Sequence, residues 1–373
     1  MTTGKWSARS RLALTLAAAL TIAALSPAPA SAQESGDAAA SGAAVTETQP
    51  GRKITRFVPI PKTISAEAQA VLAGPPSPYA DVVPDSPEAW KALIAEINAG
   101  TWTNLIQPAL ARYPVTVERR EIAGVPVAVV TPKGRTAPVN NRRTILNIHG
   151  GAFIVNGGRQ AILEAIPIAS LLRMPVVAVD YRMPPDHPFP AGLQDSVAVY
   201  QALIRGQDRR RVGVYGTSAG GNLAVAMLLR ARAQGLPMPG AVALVSPWSD
   251  IGPVGDSLGT NAVIDPTLVH YDGLLRAAAE LYAGGIRLDD PRVSPVYGHF
   301  GRWFPPTLLL SGSRDLVLSG TTRLQQRLVE AGVVTEMQLF EAMWHDFPVS
   351  YGVPEAATGW QQVAQFLDRR LAR

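Results

Sequence analysis

The sequence predicts an α/β fold: a mostly parallel eight-stranded sheet flanked by helices, with a helical cap. Three observations carry this expectation. Eight short apolar runs occur at 115–121, 125–131, 143–148, 175–180, 211–215, 241–245, 306–311 and 334–340. After the first two, these runs alternate with longer segments whose apolar residues recur at helical spacing. One run ends at Tyr215 and leads through Gly216, Thr217, Ser218, Ala219 and Gly220 into a helical stretch from Leu223 to Arg232. Near-continuous apolar strands between helices indicate a parallel sheet buried on both faces. Helices on both sides of such a sheet make a layered α/β fold.

Composition bounds the rest. The 373 residues suit one large domain with additions, or two small ones. At 47% hydrophobic and 17% charged, the chain is not mainly disordered. Glycine shows no three-residue period, which excludes collagen. With no cysteine, disulfides, thiolate metal sites and a cysteine nucleophile are all excluded. The net charge is +5, but residues 1–32 contribute Lys5, Arg9 and Arg11 and no acid. Removing those three from 34 basic residues leaves 31 against 29 acidic ones, or +2. That is too weak and dispersed for a nucleic-acid partner. Arg209 to Arg211 and the pair Arg369 and Arg370 are expected on solvated surface.

In chain order, residues 1–32 have the layout of a signal peptide: a basic start, an apolar run from Leu12 to Leu25, then Ala30-Ser31-Ala32. Cleavage after Ala32 implies an exported protein, periplasmic or extracellular, with no stable membrane anchor; retention as an anchor is the rival. Residues 33–51 hold almost nothing large to bury and read as a flexible leader. Residues 52–112 form an N-terminal helical cap segment. There Ser86 is an N-cap with Pro87 at the first helical position, and Trp90, Leu93, Ile94 and Ile97 follow at helical spacing. Residues 113–373 hold the sheet, which opens with an antiparallel hairpin turning at Ala123-Gly124. Residues 250–292 are too long for a simple connection and read as a second cap insertion, with a helix from Asp265-Pro266 to Tyr282.

The segment 216–220 is G-x-S-x-G between a strand and a helix, the setting in which that motif has chemical meaning. Gly216 and Gly220 permit a sharp turn that pushes Ser218 outward. The helix behind it adds partial positive charge where an oxyanion develops. His149-Gly150-Gly151 follows the third strand, and its glycines let backbone N–H groups approach a ligand oxygen. The amides of Gly150, Gly151 and Ala219 are therefore expected to form an oxyanion hole. His149 itself is expected to hold that loop rather than act as a base.

An alkoxide needs a base, and the chain order serine, acid, histidine is that of α/β-hydrolases. Asp315 follows the seventh strand and His345 the eighth. Asp315 is expected to orient the imidazole, and His345 to carry the proton of Ser218. Asp346 is the nearest rival acid, but its adjacency to His345 points it away from that ring. His270 and His299 show no matching partner. Scattered histidines without H-E-x-x-H give no metal site, and the chemistry needs no cofactor. Asp289-Asp290 before Pro291 reads as a helix-ending turn.

Five segments together resemble the hormone-sensitive-lipase family of bacterial carboxylesterases. They are His149–Phe153, Tyr181–Pro190, Gly216–Gly221, Ser246–Asp250 and Asp290–Tyr297. The resemblance runs from about Val115 to the C-terminus. Thr217 and Ala152 resemble the branch with monoterpene ε-lactone hydrolases and related short-chain esterases; the commoner pattern has Asp before the nucleophile and a third glycine. The resemblance implies Ser218, Asp315 and His345 as a triad, with Gly150, Gly151 and Ala219 as the oxyanion hole. It also implies an N-terminal cap and a structural turn at 181–190.

The expected function is hydrolysis of small to medium uncharged esters or lactones, with Trp90, Trp102 and Leu105 of the cap covering an apolar pocket. The same triad also suits a deacetylase of a sugar or secondary metabolite. A non-catalytic ligand-binding protein on this fold is a reading of another class, and the presence of His345 argues against it. A homodimer is left open.

Overall fold

The computed structural model describes residue 51, residues 54–134 and residues 142–372. The expected signal peptide and all of the leader but Gly51 lie outside the described residues. Residues Arg52–Arg373 form one compact unit, so the segment 52–112 is continuous with the sheet domain.

The cap segment contains α1 (Ala66–Ala73), α2 (Pro87–Ile97) and α3 (Thr103–Arg112), with a π-turn from Asn98 to Trp102 between the last two. As expected, the Ser86 side chain accepts from the Ala89 amide and Pro87 opens α2. Next come β1 (Val115–Ile122), β2 (Val125–Pro132), β3 (Thr144–Ile148), α4 (Ala165–Leu172), β4 (Val176–Val179) and α5 (Ala191–Arg205). They are followed by β5 (Val212–Thr217), α6 (Ser218–Ala233), β6 (Ala241–Val245), α7 (Asp256–Thr260) and α8 (Leu274–Ala283). The chain closes with β7 (Thr307–Gly312), α9 (Leu318–Glu330), β8 (Thr335–Phe340) and α10 (Pro354–Arg370).

The eight strands form one sheet in the order β1-β2-β4-β3-β5-β6-β7-β8. β2 is antiparallel to both its neighbours, and every other pairing is parallel. Side chains alternate across this sheet with a period of two. Leu146, Ile148, Val177, Val179, Val214 and Leu244 face one core, which α5, α6 and α9 cover. Ile145, Val176, Ala178, Tyr215, Ala243 and Leu310 face the other, covered by α4 and α10. Both cores are predominantly apolar, so the central strands are buried on both faces, as their continuous hydrophobic runs indicate. Arg369 and Arg370 both reach Glu336 from the surface.

The two cap pieces meet. Trp90, Leu93 and Ile97 of α2 pack with Ala278 of α8 and with Ile154 and Val155 behind β3. Trp102 borders this cluster and also the core beneath α4, whereas Leu105 packs only on the latter.

Two expectations in the second cap piece need correction. The helix begins at Leu274, not at Asp265. The Asp265 carboxylate does accept from the amides of Thr267 and Leu268, which is a capping geometry. The chain then turns through Gly273 at φ 154°, a conformation no helix contains. Asp289 and Asp290 also end no helix. They sit in turns well after α8 and pair with Arg287 and Arg292.

Candidate active site

The end of β5 and the start of α6 set the position of Ser218. Ser218 is the first residue of α6 and has φ 49°, a left-handed backbone that costs a non-glycine residue about 1–3 kcal/mol. Neighbouring groups hold it there: its carbonyl accepts from the Trp248 amide at 3.0 Å. The two glycines are steric requirements. A side chain at Gly216 would collide with the Gly220 carbonyl, and one at Gly220 with the backbone of Ile148 and His149.

The expected triad is assembled. His345 Nε2 lies 2.8 Å from Ser218 Oγ, and His345 Nδ1 lies 2.9 Å from Asp315 Oδ1. These residues come from the loops after β5, β7 and β8, at the carboxyl ends of parallel strands, where open α/β sheets place their sites. Asp315 is completely buried. Its Oδ2 accepts from Ser311 Oγ at 2.7 Å, and its Oδ1 also accepts from the Val317 amide at 2.9 Å.

Electrostatics follow from this packing. Burial alone would lower the His345 pKa, but the charges of Asp315, Asp265 and Asp346 and the hydrogen bond to Asp315 outweigh it, raising it to about 9. Burial works to raise the Asp315 pKa. The His345 charge and the hydrogen bonds it receives hold it below the ordinary carboxylate value instead. Asp346, the rival acid, contacts neither ring nitrogen in any hydrogen bond of the described residues. Burial pushes its pKa well up.

The oxyanion loop differs from expectation at one position. The Gly150 amide already donates to Glu164 Oε1 at 2.8 Å, so it is not available to a substrate oxygen. Among the described residues the amides of Gly151, Ala152 and Ala219 donate to no protein acceptor. The Ala219 amide is free because it lies in the first turn of α6. The candidate donors are therefore Gly151, Ala152 and Ala219. The missing third glycine does not prevent this, since Ala152 takes φ 49°. His149 holds the loop, as expected. It is fully buried, its ring stacks on Tyr181 at 4.3 Å, and its carbonyl accepts from the Tyr181 hydroxyl at 2.9 Å. The turn at 181–190 thus supports the floor of the site. Thr217 lies beside Gly150 of the loop and is fully buried.

Two residues escaped the sequence reading. Asp265 Oδ2 accepts from the Leu316 amide at 2.8 Å and the His345 amide at 3.2 Å, tying together the loops that carry the acid and the base. Its only sequence signal was Asp-Pro, which also marks helix starts. Glu164 is the other, a lone acid just ahead of the apolar helix α4. Of the remaining histidines, His270 contacts Asp81 within the cap at 3.0 Å. No three His, Cys, Asp or Glu side chains among the described residues are grouped to hold a metal ion. A cavity of about 1080 Å³ lies between α5, α6 and the segment 291–303, and no triad residue lines it.

Residues 145–349 match the α/β-hydrolase fold family, a span that takes in the serine, the acid and the base. The chain belongs to that family. An esterase of Acinetobacter venetianus is 31% identical over 248 residues, covering 66% of this chain and 81% of the relative. Among solved structures, esterase E25 superposes with a TM-score of 0.81 at 35% identity, over 87% of this chain and 99% of its own. An esterase from the bacterial hormone-sensitive lipase family gives 0.67 at 28% identity, over 83% and 99%. The structural neighbours of this α/β hydrolase thus include a member of the hormone-sensitive-lipase group that its motifs resemble.

A base must be neutral to accept a proton, and a raised pKa keeps His345 protonated at neutral pH. Initial rates of p-nitrophenyl acetate hydrolysis across pH should therefore give kcat/KM an acid limb whose midpoint lies above 6.5, towards 9. Asp315→Asn should move that limb downward along with the rate. A limb that stays in place would deny Asp315 its electrostatic role.

Proposed function

We propose that the chain, a carboxylic ester hydrolase by family and by site, works through a covalent acyl-enzyme on Ser218. The supporting observation is the continuous relay from Ser218 Oγ to His345 to Asp315, at 2.8 and 2.9 Å. His345 removes the hydroxyl proton as Oγ attacks the ester carbonyl. The carbonyl oxygen becomes an oxyanion facing the amides of Gly151, Ala152 and Ala219. Collapse breaks the ester C–O bond, and the alcohol leaves with the proton from His345. A water molecule then gives a proton to His345, attacks the acyl carbon, and releases the acid as Ser218 regains its proton. Asp315 stays ionised throughout, fixing the ring and stabilising its cation.

Small to medium uncharged esters or lactones are the substrate class this reading favours. Ser218 and His345 are only 6% and 4% exposed. The Ala152 donor borders the apolar cluster of Trp90, Ile97, Ile154 and Val155. A charged acyl group would lose its hydration in such surroundings. A lactone keeps its leaving alcohol tethered to the acyl group and needs no other machinery. The resemblance of Thr217 and Ala152 to the ε-lactone hydrolase branch favours including this class.

The test is hydrolysis of p-nitrophenyl esters from C2 to C12 and of ε-caprolactone by the mature chain and by Ser218→Ala. Rates should peak at short acyl chains, and the variant should lose at least about 10⁴-fold in kcat. Equal rates in both proteins would remove Ser218 from the mechanism.

Export belongs to the same proposal and rests on the layout of residues 1–32. N-terminal sequencing of the active protein should begin at Gln33 and find it outside the cytoplasm. Active protein that retains Met1 in the cytosolic fraction would contradict this.

A further inference from the structure

Glu164 is a fully buried acid beside the site that the relay does not use. It stands just ahead of α4, and its side-chain oxygens reach the oxyanion loop and the strand that leads into it. Oε1 accepts from the Gly150 amide at 2.8 Å, one residue before the candidate donors Gly151 and Ala152. Oε2 accepts from Asn147 Nδ2 on β3 at 3.4 Å. Its main-chain carbonyl accepts from the Tyr215 hydroxyl of β5 at 2.8 Å, three residues before the nucleophile. One residue thus joins the strand that leads into the oxyanion loop, the loop itself, and the strand that leads into Ser218.

We infer that Glu164 is a positioning residue for the oxyanion hole, holding the Gly150 peptide so that the next two amides face the carbonyl oxygen above Ser218. The inference rests on the acyl-enzyme reading and extends it to a residue that touches no substrate.

The geometry argues for tension between two anchors. On one side Tyr181 holds the His149 carbonyl, and on the other Glu164 holds the Gly150 amide. Between them the peptide plane is fixed. The chain then passes through Gly151 at φ 108° and Ala152 at φ 49°, and the Ile154 and Val155 amides return to the Gly151 carbonyl. In the next peptide plane His149 Nδ1 lies 2.8 Å from the Gly150 carbonyl, and Phe153 beyond it stacks on Tyr282, so the direction of the donor amides depends on these contacts together with the plane that precedes them. Without an acceptor at 164, the buried Gly150 amide is left unpaired and the loop rotates to find one. Rotation displaces the donors from the oxyanion, which exists only in the transition state. Burial raises the Glu164 pKa to about 7, against the Thr217 hydroxyl beside it and the Gly150 and Asn147 donors. Even a protonated carboxyl keeps one oxygen able to accept the Gly150 bond, so the argument concerns an acceptor in place and not a charge.

The experiment compares Glu164→Gln, which keeps an acceptor oxygen at the same reach, with Glu164→Leu, which removes it. Active sites are counted by labelling Ser218 to completion with a fluorophosphonate, and kcat is expressed per labelled site. Wild-type labelling that is lost in Ser218→Ala establishes the acyl-enzyme reading independently. Glu164→Leu should lower kcat by about 10²-fold with KM within about threefold, and weaken a trifluoromethyl ketone inhibitor by a similar factor. Glu164→Gln should restore kcat to within about fivefold of wild type. If the leucine variant yields no folded protein, Glu164→Asp, one methylene shorter, should show the same split at about tenfold. Three results would overturn the inference: a kcat per site within threefold of wild type without the acceptor, a loss confined to KM or stability, or a glutamine variant as slow as the leucine one.

Discussion

The strained turn at Ser218 is the constraint on which the other features depend. A serine held at φ 49° between β5 and α6 directs its hydroxyl out of the sheet and leaves the first amides of the helix unpaired beside it. Gly216 and Gly220 must lack side chains for β5, α6 and the end of β3 to approach this closely. That approach also brings the 149–152 loop against the nucleophile. The two apolar cores on either side of the sheet supply the stability against which such strain is maintained.

From that fixed point the site is built by loops at the carboxyl ends of the strands, tied to each other as well as to the sheet. Asp265, from the cap insertion, holds the amides of Leu316 and His345 and so couples acid and base. Glu164 holds the oxyanion loop from beneath. Tyr181 holds the same loop from the other side. Three buried groups that touch no substrate thus fix the positions of the groups that do. The α2 and α8 cap pieces close over the region through Trp90 and Ala278.

The strands were legible because the sheet is buried on both faces, so each one appears as an unbroken apolar run. No strand boundary lies more than two residues from its expected place. Ser218, Asp315 and His345 were legible because their loops follow particular strands in a chain order that the fold dictates. The helix expected from Asp265 was misplaced because a carboxylate that caps a turn has the same local pattern as one that starts a helix. Its second oxygen reaches residues 51 and 80 positions away, which no local pattern records. Gly150 was misassigned for a similar reason. Its sequence context offers a free amide, and only the tertiary position of Glu164 shows that this amide is occupied.

The central claim is that Ser218 becomes acylated. Rapid acid quenching of the protein with p-nitrophenyl butyrate, followed by intact-mass and peptide mass analysis, tests it directly. The account predicts one butyryl group per chain, located on Ser218 and decaying at the rate of turnover. Turnover with no adduct on any time scale, or an adduct on another residue, would contradict it.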